Sequence, residues 1–103
     1  MRDGVIIVCF DLHVKTKTEK KMYRDFKNYL LCEGYRSLQK SVYFKYLRNI
    51  SMTEYYIKHL ESNSPPYGSI LTLCLNFKCF KSMYAISGNL PDFDKISNPV
   101  IIL

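Results

Sequence analysis

The sequence predicts an α+β fold, an antiparallel sheet with helices on one face, and three observations carry that expectation. An unbroken apolar run, Val5-Ile6-Ile7-Val8-Cys9-Phe10, reads as a central strand and stops at Asp11. Helix-start signatures appear at Thr16-x-x-Glu19 and Ser51-x-x-Glu54, each followed by apolar residues at helical spacing. A dense turn cluster, Ser62-Asn63-Ser64-Pro65-Pro66-Tyr67-Gly68, then precedes a further apolar run from Ser69 to Leu75.

Each element has its own chemistry. After the loop Leu12-His13-Val14-Lys15, Thr16 and Glu19 can cap one another's amides and start the first helix. Met22, Phe26, Tyr29 and Leu30 form its apolar stripe, and Glu33-Gly34 ends it, the glycine supplying a left-handed C′ residue. Tyr35 to Leu47 reads as one long strand, with Leu38, Val42, Phe44 and Tyr46 on one face. Gln39, Ser41, Tyr43 and Lys45 form a polar row on the other. The second helix turns Met52, Tyr56 and Leu60 inward. Phe77 to Met83 reads as a helical turn, and Tyr84 to Ser87 as a further strand ended by Gly88. Asn89 to Pro99 is polar and carries two prolines, so it reads as a linker. Val100-Ile101-Ile102-Leu103 is an apolar tail expected to add as an edge strand, to its own sheet or a partner's. The order β-α-β-β-α-β is the split arrangement of a ferredoxin-like fold over residues 1–88, with residues 89–103 as linker and tail. One sheet face would be left open, which a second copy would cover, giving a homodimer.

Composition narrows the function classes. At 103 residues the chain is one domain, and 48% hydrophobic residues supply a single core. The short apolar start is not a secretory core, and no stretch reaches the roughly 18 apolar residues of a membrane span. A cytoplasmic location with no membrane partner follows as the expectation. Cys9, Cys32, Cys74 and Cys79 form no CxxC pair and no zinc spacing with His13 or His59, so they read as free thiols, Cys9 and Cys74 in buried strands. Fifteen Lys+Arg against nine Asp+Glu give a net charge of +6, which favours nucleic acid, acidic membranes or acidic proteins as partners.

Asp11 is the most informative single residue. A carboxylate directly after a buried strand is held rigidly yet meets solvent. In a twofold pair, two such groups would converge and need a shared proton or a cation, for which magnesium or manganese is suited. The plainer alternative is that Asp11 caps a turn. Lys17, Lys20, Lys21, Arg24 and Lys27 recur at helical spacing and could contact a phosphate backbone without reading sequence, or be an ordinary solvated face. Ser41 lies in the polar row as a neighbour of the Asp11 end. It lacks a histidine to activate it as a nucleophile. His13, two residues past Asp11, could serve as a general acid or base, or simply be exposed.

Taken together, Asp11-Leu12-His13-Val14-Lys15-Thr16-Lys17, Tyr23-Arg24-Asp25-Phe26-Lys27-Asn28-Tyr29-Leu30, Glu33-Gly34-Tyr35 and Gln39-Lys40-Ser41-Val42-Tyr43 resemble the family of CRISPR-associated protein two, in the form found with a single large effector nuclease. Gly68-Ser69-Ile70, Phe80 and Met83 extend the likeness over residues 5–88. The resemblance implies a ferredoxin-like homodimer with two facing Asp11 carboxylates that bind magnesium. It further implies duplex DNA held while the dimer bridges two dimers of the CRISPR integrase, with Lys17, Lys21, Arg24 and Lys27 on the backbone and Ser41 beside the site. Family members are described as metal-dependent endonucleases, so catalysis through Asp11 is the rival to a purely architectural role. A toxin-like ribonuclease or a plain RNA-binding module is a third reading. His13 stands where the family usually has proline, and Lys27 where arginine is usual, which turns a bidentate contact into a point charge.

Overall fold

The computed structural model describes residues 2–98. Strand β1 (Gly4–Asp11) leads into helix α1 (Lys17–Cys32), then β2 (Arg36–Gln39) and β3 (Val42–Leu47). A single 3₁₀ turn (Ile50–Met52) enters α2 (Thr53–Asn63). Strand β4 (Ser69–Asn76) and two short helices, α3 (Phe77–Lys81) and α4 (Phe93–Ser97), complete the chain. The sheet order is β2-β3-β1-β4 and every neighbouring pair is antiparallel. With two helices on one face, this is the expected βαββαβ ferredoxin-like fold. Among the described residues no helix is long and apolar enough to cross a membrane.

The unbroken apolar run of β1 follows from its central place. Ile6, Val8 and Phe10 face α1 and α2 and join Phe26, Leu30, Tyr35, Tyr43, Leu47 and Leu60 in one core. Val5 alternates to the other face, where it meets Phe44, Phe77, Phe80 and Ile96 in a second. There Phe80 is the hub: its ring lies 5.2 Å from Phe44 and 5.6 Å from Phe93. Short α3 and α4 thus hold half of the face opposite the long helices. The other half is open, with Leu71 68% and Leu73 56% exposed.

Helix α1 begins and ends as expected. Thr16 Oγ1 accepts from the Glu19 amide at 3.0 Å while Glu19 accepts from the Thr16 amide at 3.0 Å. Gly34 has φ +90°, the left-handed stop that only glycine takes without strain. The Lys45 ammonium donates to the Glu33 carbonyl there and lies over the rings of Tyr56 and Tyr35, and burial pushes its pKa down.

Several expectations are corrected. Tyr35 to Leu47 is not one strand but a hairpin turning at Lys40-Ser41, where Ser41 has φ +65°. The turn contains neither glycine nor proline nor asparagine, so nothing in composition marks it. The hairpin also dissolves the polar row: Tyr43 is buried in the helix-side core and Lys45 caps α1, while Leu38, at the register shift in β2, packs against the second core. Ser51-x-x-Glu54 is no capping box. Asn49 caps the preceding 3₁₀ turn by accepting from the Ser51 amide, and α2 has no side-chain cap. Tyr84 to Ser87 forms no strand: it runs near the edge strand β2, lining a surface pocket with Leu38 and Gln39 without pairing, and Tyr84 and Ile86 are 85% and 95% exposed. The segment read as a linker carries α4, whose Ile96 is buried against the second core. Cys9 is exposed rather than buried, because it lies on the open half of the sheet. The expected edge strand Val100 to Leu103 lies outside the described residues.

Candidate functional site

Asp11 closes β1 on the face shared with Ile7 and Cys9, since alternate residues point the same way. Its cross-strand partner is Ser69 at the start of β4, whose hydroxyl shares that face. On the other side the β2–β3 turn comes alongside, the Ser41 carbonyl accepting from the Phe10 amide at 3.0 Å. Asp11 is therefore an exposed carboxylate at a braced strand end, flanked by two serines. Ser41 comes alongside through its backbone carbonyl and not through a polar row.

The brace comes from the turn between α2 and β4. Gly68 has φ +78°, and a Cβ there would lie 2.7 Å from the Asp11 carbonyl oxygen. Replacing it by alanine joins backbone strain to a collision with main chain. Gly68→Ala is expected to lower unfolding stability by about 2 kcal/mol, measured by denaturant titration. Beside it, the Tyr67 hydroxyl donates to the His13 carbonyl at 2.8 Å and is 3.2 Å from the Glu19 carbonyl. The Tyr67 ring stacks on the His13 imidazole at 6.4 Å and 17°. Amide donation from Thr16, assisted by Lys15, holds the Glu19 carboxyl below the usual carboxylate range.

The cations are placed elsewhere. Lys17, Lys20, Lys21 and Arg24 are exposed along α1. Lys21 is paired with Asp25 at 3.0 Å, and the half-buried Lys27 ammonium lies 5.3 Å from the Tyr23 ring centroid. Helix α1 packs on the sheet face bearing Phe10 and Val8, whereas the Asp11 side chain belongs to the opposite face. Within one chain the carboxylate and the basic stripe are therefore on different sides of the sheet. Among the described residues no group of three or more His, Cys, Asp or Glu could hold a metal. One chain offers a single carboxylate, and two copies would offer two, the number with which magnesium is commonly held while keeping its waters.

A family model described as CRISPR associated protein Cas2 matches residues 4–83. The chain belongs to the Cas2 family. Among curated Cas2 relatives, each named CRISPR-associated endoribonuclease Cas2, the Streptococcus mutans protein is 39% identical over 81% of this chain and 78% of its own length. The Treponema denticola protein is 36% identical over 81% and 82%. The Campylobacter jejuni protein is 31% identical over 90% of this chain, but the match spans only 65% of that protein's length.

Three residues around Asp11 escape sequence reasoning. Ser69 becomes visible only once β4 is paired with β1 in register. Gly68 is marked by turn composition, but its contact with Asp11 is tertiary. Tyr67 has no sequence signal, because its acceptors are main-chain carbonyls 54 and 48 residues away.

Proposed function

We propose that two copies of this chain pair through the open half of the sheet and act as a CRISPR adaptation protein of the cytoplasm. The dimer binds duplex DNA without reading its sequence and bridges integrase dimers during spacer insertion. The observation that carries this reading is the separation just described: the outward cations of α1 and the Asp11 carboxylate lie on opposite sides of the sheet. A duplex bound along α1 is thus held away from the carboxylate of the same chain, as suits a holder more than a cutter. The pairing surface is favoured by Leu71 and Leu73, exposed on an edge strand of eight residues without a charge.

In that pair the two Asp11 carboxylates, with Ser69 and Ser41 beside them, would hold magnesium or manganese. When bound, such an ion supplies a Lewis acid for a phosphodiester oxygen. The chain's own residues would hold the carboxylate that binds it: Gly68 and Ser41 brace the strand end, and Ser69 would add a hydroxyl on the same face.

A second reading is a metal-dependent endonuclease acting on RNA or DNA through paired Asp11; the relatives' name, endoribonuclease, favours its RNA arm. Asp11→Ala separates the two. Duplex affinity and integrase copurification are expected to be unchanged, while any magnesium-dependent cleavage of RNA or DNA is lost. A variant that no longer held duplex would overturn the adaptor reading in favour of one shared active surface.

A further inference from the structure

The loop Leu12 to Lys15 starts immediately after the Asp11 carboxylate, and its geometry limits where that group can be. Within the loop Leu12 is buried in the helix-side core, and the residues after it are held by contacts made from outside the loop. Among the described residues the His13 amide donates to no acceptor. The restraint comes from outside, from a residue 54 positions later: the Tyr67 hydroxyl at 2.8 Å from the His13 carbonyl, with the two rings stacked. The same hydroxyl reaches the first turn of α1 at the Glu19 carbonyl, and Glu19 in turn accepts the amides of Lys15 and Thr16. Tyr67 therefore ties the loop, the helix start and the β4 turn at one oxygen, next to the glycine on which the Asp11 carbonyl rests.

We propose that Tyr67 is a positioning residue, whose hydroxyl and ring hold the Asp11–Lys15 backbone so that the Asp11 carboxylate is set for a divalent cation shared by two copies. This inference rests on the cation reading of Asp11 given above. The physical reason is preorganisation. A carboxylate that must converge on a partner across a twofold axis loses affinity when its backbone is free to swing, even though the ligand atoms are unchanged.

The geometry also supplies a rescue. The hydroxyl acts by limiting the backbone at residue 13, and a proline there would limit it independently. Proline costs no hydrogen bond at a position whose amide has no acceptor. Its fixed negative φ is on the side His13 already takes, since Ser41 is the non-glycine residue with positive φ among those described.

The test uses the full-length protein with Mn²⁺ as probe, read by the loss of the free-ion electron paramagnetic signal, alongside solution mass and duplex affinity. Tyr67→Phe removes one oxygen and keeps the ring. It is expected to weaken Mn²⁺ binding about three- to tenfold, the worth of one hydrogen bond, with mass and duplex affinity unchanged. Adding His13→Pro to Tyr67→Phe is expected to restore most of that loss, which a merely structural defect in the β4 turn would not allow. Native Mn²⁺ affinity in Tyr67→Phe, a double variant as weak as the single one, or an equal loss of duplex affinity would each overturn the proposal. Asp11→Asn tests the layer beneath: if it binds Mn²⁺ as the native chain does, the cation reading fails and the positioning role fails with it.

Discussion

Reversing two charges on α1, Lys21→Glu with Arg24→Glu, is expected to lower duplex affinity a hundred- to a thousandfold at physiological salt and to leave solution mass unchanged. Both side chains are exposed, so the fold does not depend on them. Lys21 gives up an exposed ion pair with Asp25, about 0.2–0.5 kcal/mol at an i,i+4 spacing. Helix α1 keeps its capping box and its buried Phe26 and Leu30. The loss in binding is far larger. Each phosphate contact contributes about 0.9 to the slope of log affinity against log salt. Two residues in each of two chains remove four contacts, a slope change of roughly 3.6, which at about 0.15 M salt amounts to about a thousandfold. The Lys21–Asp25 pair spends part of that lysine's charge within the chain, which sets the lower end of the range. Filter binding across a salt series measures slope and affinity together. Native affinity with an unchanged slope would place the duplex elsewhere on the molecule.

The parts of the fold that composition announced are those whose signals are local. Thr16 and Glu19 satisfy each other within one turn, and Phe26 and Leu30 recur at the helical period, so α1 is readable residue by residue. The apolar run of β1 is readable because both its faces are covered in part. The β2–β3 hairpin is not, because Lys40-Ser41 carries a positive φ on a serine and period-two alternation runs straight through it. Tyr84 to Ser87 alternates like a strand and yet stays unpaired although it runs near the edge strand β2, so alternation alone does not make a strand. Helix α4 hides behind the polar composition of its segment because it is short and docks through two residues, Phe93 and Ile96. The site divides the same way. Asp11 is announced by an apolar strand ending in a carboxylate and Lys17 to Lys27 by spacing, whereas Ser69, Gly68 and Tyr67 join the site only through contacts closed by the sheet.

Leu73→Glu is expected to convert the proposed dimer to single chains, raising its dissociation constant at least a thousandfold, as read by sedimentation or light scattering. Leu73 stands across from Ile7 on the open half of the sheet and is 56% exposed in a single chain. A glutamate there meets solvent when the chain is alone, so circular dichroism and thermal midpoint should hardly change. In a twofold pair the same substitution appears twice and places an unpaired carboxylate in an apolar contact on each side. Desolvating each costs several kcal/mol, and a combined penalty of about 4 kcal/mol already corresponds to a thousandfold. Duplex binding then reports on the same event. With one α1 per particle the phosphate contacts halve, and so should the salt slope, whereas Asp11→Ala should leave that slope intact. A Leu73→Glu protein that remained a dimer would move the pairing surface off this half of the sheet. The two Asp11 groups would then no longer share an axis, and neither a common cation nor a continuous pair of basic helices could be built from them.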